Sequence, residues 1–333
     1  MTPRSDGAKR AAFGRLIRKP KRLGETMKER LVRQTSAEAL LPADVAARLE
    51  GASVERAELP AGSLVVLAVL GGIYIGLGGA LATLALTDST LGFGLGRLAA
   101  GVAFSLGLVL LVIGGGELFT GNNLMVLALA SGKVSPRAIL RNWTIAYSAN
   151  AAGAVLLALA IHQSGILDSG NVRATAVRIA EAKAQLGFGQ AFVRGILCNM
   201  LVCLAVWLSV AARGIEGKVV AIVFPISAFV ALGFEHCVAN LNLLPVAMLN
   251  GANIDYWGML ANIVPVTLGN TVGGAGIATA YWFIYLCKVS TANSGFPAGA
   301  PAISEAGWTL PNPDGIPPKP IWRLASKSDR GAS

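Results

Sequence analysis

Six long apolar segments follow one another along the chain, near residues 61–86, 98–130, 138–161, 191–212, 219–249 and 259–287. A straight helix crosses the hydrocarbon of a bilayer with about 20 apolar residues. The first, third and fourth segments fit that length, and each predicts one continuous span. The second and fifth run past it and turn polar at their middles. One contains Gly114-Gly115-Gly116-Glu117-Leu118-Phe119-Thr120-Gly121-Asn122-Asn123, the other Gly233-Phe234-Glu235-His236 and then Asn240. These predict helices broken into halves, with irregular backbone that is tolerated at membrane depth only beside protein or a water-filled path. The pattern therefore predicts an all-α polytopic membrane protein of six transmembrane helices, with the second and fifth broken.

The two interrupted segments resemble each other. Gly115-x-Glu117-x4-Asn122 matches Gly233-x-Glu235-x4-Asn240 at an offset of 118, and Asn142, Asn150 and Gly153 match Asn262, Asn270 and Gly273 at an offset of 120. Each half then holds three spans. Because three is odd, the second half enters from the opposite face, so the repeats are inverted. Paired broken helices in inverted repeats place a conduction path at the midplane between the two breaks.

Composition agrees. Hydrophobic residues make up 54% of the chain and charged residues only 14%, with a mean hydropathy of +0.60. Charge is displaced to the ends: the first 60 residues hold 13 of the 28 Lys and Arg. Lys133, Arg137, Arg141, Arg213, Lys218, Lys288, Lys319, Arg323, Lys327 and Arg330 share the faces reached by the termini. The positive-inside rule puts both termini in the cytoplasm. The net charge of +10 thus reads as orientation and headgroup contact. Nucleic acid is disfavoured as a partner, since the basic arm lacks interleaved aromatics. Residues 1–60 read as a basic cytoplasmic arm, helix-like over 36–58 and without the apolar core of a signal peptide. Residues 61–288 read as the membrane domain, and 289–333 as a flexible Pro/Gly/Ser-rich tail. Cys198, Cys203, Cys237 and Cys287 lie in apolar segments without a CxxC pair, which predicts buried hydrophobes, with neither metal nor cofactor.

The candidate chemistry sits at the breaks. His236 is an ionisable group inside a span, where such groups are costly and usually functional. Imidazole changes charge near neutral pH, so it suits a path for a weak-acid anion that it neutralises or protonates in transit. Glu117 and Glu235 would repel an anion. They are expected to accept hydrogen bonds from backbone donors freed at the breaks, beside the positive end of the following half-helix. His162, at the end of the third segment, reads as a solvated surface group.

These motifs resemble the formate/nitrite transporter family over residues 61–287. Gly-Gly-Glu117-Leu118-Phe119-Thr120-Gly-Asn122 is similar to the family's broken second helix, and Phe229-Val230-Ala231-Leu232-Gly233-Phe234-Glu235-His236 to its fifth-helix signature. Gly195-Ile196-Leu197-Cys198-Asn199 resembles helix four, and Ile263-Val264-Pro265-Val266-Thr267-Leu268-Gly269-Asn270 helix six. The resemblance implies an aquaporin-like monomer, assembled as a homopentamer in the inner membrane and passing small monovalent anions. It implies a cytoplasmic constriction of Leu108, Leu118 and Phe119, and an outer one of Phe104 and Phe229. His236 would face a chamber between them, with hydrogen bonds from Thr120, Asn199 and Asn270. Lys183 falls at the place of an outer-vestibule lysine. The long arm and tail depart from compact family members.

Three other readings are open to the sequence. A neutral-solute channel typically pairs Asn-Pro-Ala-like motifs, which neither break carries. An intramembrane enzyme would rest on Glu235 and His236 almost alone. A sensor or scaffold would use the tails and leave the pore vestigial.

Overall fold

The computed structural model describes residues 39–287; the flexible-tail expectation for 289–333 and most of the basic arm lie outside them. The helices are α1 (Pro42–Glu58), α2 (Ala61–Leu86), α3 (Gly92–Gly114), α4 (Phe119–Ala130), α5 (Pro136–Gln163), α6 (Val172–Ala184), α7 (Phe188–Ala211), α8 (Ile215–Leu232), α9 (Cys237–Leu249) and α10 (Tyr256–Leu286). Six of them, α2, α3, α5, α7, α8 and α10, are long and apolar enough to span a bilayer. The short apolar helices α4 and α9 follow α3 and α8 across the two breaks. Each break opens with a glycine in the left-handed region, Gly115 at φ 90° and Gly233 at φ 74°. A side chain there would be strained, so the glycines end the long helices and turn the chain into the half-helices.

The inverted repeat recurs in the packing. In the first repeat α2 lies against α3 and α5; in the second α7 lies against α8 and α10. The tightest approaches correspond as well. A Cβ on Gly153 would overlap the carbonyl oxygen of Val69, and one on Gly273 that of Ile196. Contact between small residues of this kind lets membrane helices pack backbone to backbone. Gly273→Leu is accordingly expected to force α7 and α10 apart, at a cost of about 1–3 kcal/mol or more. Size-exclusion profile and melting temperature in detergent check this, and an unchanged melting temperature would refute it.

The short helix α1 packs on the domain. Val45, Ala46 and Leu49 are buried against Leu124, Leu127, Cys203, Trp207 and Ala278. Lys133 binds the carboxylate of Glu50 at 2.6 Å. Its partner in the second repeat is α6, which likewise precedes a long helix and likewise carries a basic residue in its last turn, Lys183 where α1 has Arg56.

Candidate functional site

The two breaks are held by the same hydrogen bonds, made twice. Asn150 Oδ1 accepts from the backbone N–H of Phe119 at 2.9 Å, and its Nδ2 donates to the carbonyls of Ala68 and Glu117. Asn270 Oδ1 accepts from the N–H of Cys237 at 2.8 Å, and its Nδ2 donates to the carbonyls of Gly195 and Glu235. Asn122 Nδ2 donates to Asn142 Oδ1 at 2.9 Å, as Asn240 Nδ2 does to Asn262 Oδ1 at 2.8 Å. Asn142 Nδ2 in turn donates to the carbonyl of Arg56, as Asn262 Nδ2 does to that of Lys183. The N–H groups of Glu117 and Glu235 donate to the carbonyls of Leu67 and Arg194. Backbone groups freed by a helix break in a dry region must find such partners. Here asparagine supplies both the acceptor and the donors from one side chain.

This corrects the expected role of the glutamates. The freed donors go to Asn150 and Asn270, while the carboxylates turn to cations. Glu117 accepts from Arg56 Nε at 3.1 Å. Glu235 accepts from Lys183 Nζ at 2.9 Å and from Asn240 Nδ2 at 2.6 Å. Each negative charge is thereby paired with a cation, the condition for a charge that is nearly buried; both oxygens of Glu235 are bonded, whereas Glu117 Oε2 has no partner among the described residues. Arg56 was missed in the sequence because α1 and α6 correspond at an offset of 127 rather than 118 or 120.

The repeats differ where they face each other. Leu118 and His236 occupy corresponding positions, as do Gly72 and Asn199. His236 is buried and caps α9: its Nδ1 accepts from the N–H of Ala239 at 3.1 Å. A neutral ring so held carries its proton on Nε2. That nitrogen lies 3.1 Å from the hydroxyl of Thr120, which accepts. The pair joins the first turns of the two half-helices. Both N-termini, with their positive dipole ends, meet at this point.

On one side of His236, Phe104 and Phe229 pack edge to face, with ring centroids 5.4 Å apart. Phe229 also stacks on the His236 ring at 6.1 Å. A cavity of about 430 Å³ is lined by both phenylalanines and runs among Arg97, Arg178, Lys183, Arg194, Glu235 and His236. On the other side, Leu108, Leu118 and Phe119 are buried in the same apolar cluster, and Phe119 meets Tyr147 edge-on at 5.0 Å.

Two of the sequence-derived site residues are engaged within the scaffold. Asn270 spends its amide on backbone. Asn199 Nδ2 is directed at the carbonyls of Thr120 and Asn270 and at Asn123 Oδ1. The sequence reading missed Asn123, whose own Nδ2 is buried without a partner among the described residues. His162 is half-buried and bonds Asn250 Oδ1 at 3.1 Å, rather than being fully solvated. No group of three or more metal-ligating side chains occurs among the described residues.

Comparison with known proteins agrees. The formate/nitrite transporter family matches residues 43–284. A probable formate transporter of Methanothermobacter thermautotrophicus is 40% identical over 266 residues, covering 74% of this chain and 97% of that protein. The formate channel FocA of Escherichia coli K12 is 34% identical over 270 residues, covering 74% and 95%. Among solved structures, a pentameric formate channel with formate bound superposes with a TM-score of 0.62 at 38% identity, covering 68% of this chain and 98% of that one. An FNT family ion channel gives 0.66 at 29% identity, covering 72% and 98%. By sequence, by its six apolar helices and by its paired breaks, the chain is a multi-pass membrane protein that belongs to the formate/nitrite transporter family.

Proposed function

We propose that the protein is a channel for small monovalent weak-acid anions, formate first and nitrite second, working as a homopentamer with one pore in each subunit. The observation that carries this reading is the His236–Thr120 pair, buried between two apolar constrictions at the meeting of two half-helix N-termini. The relatives named as formate channels support the substrate, and the pentameric neighbour supports the assembly. Lys133 and Arg141 bond to Glu50 and Leu59 at the α1 end of the molecule, and the positive-inside bias supports a cytoplasmic face there and an external face at Lys183. The inner membrane is the bilayer proposed for it.

An anion enters the Lys183 vestibule by attraction to its cations. At Phe104 and Phe229 it sheds water, where a bare charge costs several kcal/mol. Thr120, whose oxygen accepts from the His236 ring, keeps its own proton to donate to the anion, and the two helix dipoles add to the attraction. For His236 to take up a second proton, Nδ1 must release the N–H of Ala239. In this reading the ring therefore works first as a hydrogen-bond relay, and passes charge to the permeant only when its cap opens. Leu108, Leu118 and Phe119 close the cytoplasmic side, with Arg56 at its mouth.

The test is flux through purified protein in liposomes loaded with a pH dye. Formate and nitrite are expected to pass and acetate to pass more slowly. The Phe104→Ala/Phe229→Ala variant is expected to admit acetate at a rate near that of formate. Failure of every small anion to pass through well-folded protein would refute the channel. Unchanged selectivity in the double variant would remove the phenylalanines from the constriction.

A further inference from the structure

The vestibule on the Lys183 side holds more positive charge than the scaffold requires. Arg97, Arg178, Lys183 and Arg194 line it, against the single carboxylate of Glu235. Lys183 is committed to that carboxylate. None of the three arginines forms an ion pair among the described residues. Arg97 projects from the first turns of α3 with its guanidinium 5.2 Å from the ring centre of Phe93. One of its nitrogens lies 3.1 Å from the point where a Cβ would stand on Gly233, so the glycine of the break also makes room for the fork. Arg178, on the exposed face of α6, has only the hydroxyl of Thr175 at 3.4 Å, and Arg194 on α7 has no side-chain hydrogen bond among the described residues.

The inverted repeat provides an internal control. Arg97, Arg178 and Arg194 correspond to Ile215, Gly51 and Leu67, at the offsets of 118 and 127 that relate their helices. The same frame thus folds in the first repeat with no charge at any of the three places. Arginine presents a planar fork that pairs carboxylates with two bonds at once. The cavity of about 430 Å³ has space for roughly a dozen waters, far more than a formate needs. Three unpaired guanidinium groups around that space suit an anion with several carboxylates.

We propose that the vestibule is a binding site for di- and tricarboxylates. Such an anion pairs with Arg97, Arg178 and Arg194 and halts at Phe104 and Phe229, since several charges cannot be stripped of water together. Docked there, it blocks the pore from the Lys183 side. The binding stands without the channel reading; the block rests on it.

Thermal unfolding of the purified full chain in detergent tests the binding, with succinate and tricarballylate as probes and sodium chloride at matched ionic strength as reference. Both probes are expected to raise the melting temperature saturably, tricarballylate at lower concentration. The Arg97→Gln/Arg194→Gln variant is expected to weaken its binding at least tenfold. Arg178→Gln, on an exposed face and safe for folding, is expected to weaken it about threefold. An equal shift with chloride, or unchanged binding in Arg178→Gln and the double variant, overturns the site. Tricarballylate is then expected to slow formate flux in liposomes of the wild-type protein and not of the double variant. Binding without this slowing overturns the block. Intact binding with no formate flux at all overturns the channel reading and leaves the site standing.

Discussion

Asn270→Leu is expected to unfold the second break. Leucine is close to asparagine in size but offers neither acceptor nor donor, so the N–H of Cys237 and the carbonyl of Glu235 lose their partners, and the mid-helix carbonyl of Gly195 loses its second donor. Each buried backbone group left unpaired costs about 1–3 kcal/mol, so the sum is on the order of 3–5 kcal/mol after relaxation. That is a large part of the stability of an ordinary domain. Asn150→Leu should do the same to the first break, because its bonds are the counterparts. Asn270→Asp should fall between, since it keeps the acceptor toward Cys237 and loses the two donors. Thermal unfolding in detergent reads the series. A leucine variant that melts with the wild-type protein would show that the breaks are held by something other than these amides.

The second large effect is expected at His236. His236→Leu removes both the cap on Ala239 and the hydrogen bond to Thr120, and so the contact that turns the Thr120 proton toward the anion. A hydrogen bond to a charged partner is worth about 1.5–3 kcal/mol, so formate flux should fall about tenfold to hundredfold. His236→Asn separates the two duties. Asparagine caps helices well, so α9 should stay in place and the protein should fold, but the site between the constrictions loses its imidazole, the side-chain type that changes charge near neutral pH. The pH profile of formate flux in this variant should lose any inflection in that window. A profile that keeps its wild-type shape would exclude charge transfer through the ring.

Much of this was visible in the sequence because the bilayer imposes it. A run of about 20 apolar residues has few alternatives to a spanning helix, so the segments read at 61–86 and 191–212 correspond to Ala61–Leu86 and Phe188–Ala211. The breaks were visible because Gly-x-Glu and the asparagines that follow cannot face lipid. Partner choice was less legible. Spacing paired Asn150 with Asn270, but not the backbone groups each would hold, because those lie on another helix at 68 and 195. Arg56 escaped because the connections in the two halves differ in length, and a single offset does not reach α1. Arg97 and Arg194 belong to no motif or repeat match in the sequence, and it is the fold that puts them around one cavity.

The unequal mouths have a consequence for rectification. The vestibule near Lys183 carries three arginines whose counterparts at the other end are Ile215, Gly51 and Leu67. A cation cluster at one entrance speeds arrival from that side and deepens the resting place just inside it. Microscopic reversibility then slows departure toward the same side in proportion. With identical solutions on both faces and no voltage, opposing currents must cancel however lopsided the pore. The arginines therefore cannot choose a direction of net movement. They shape how steeply current rises with concentration from each face, so that the face with Lys183 saturates at lower anion concentration than the face with Arg56. The direction itself is left to the gradients across the membrane.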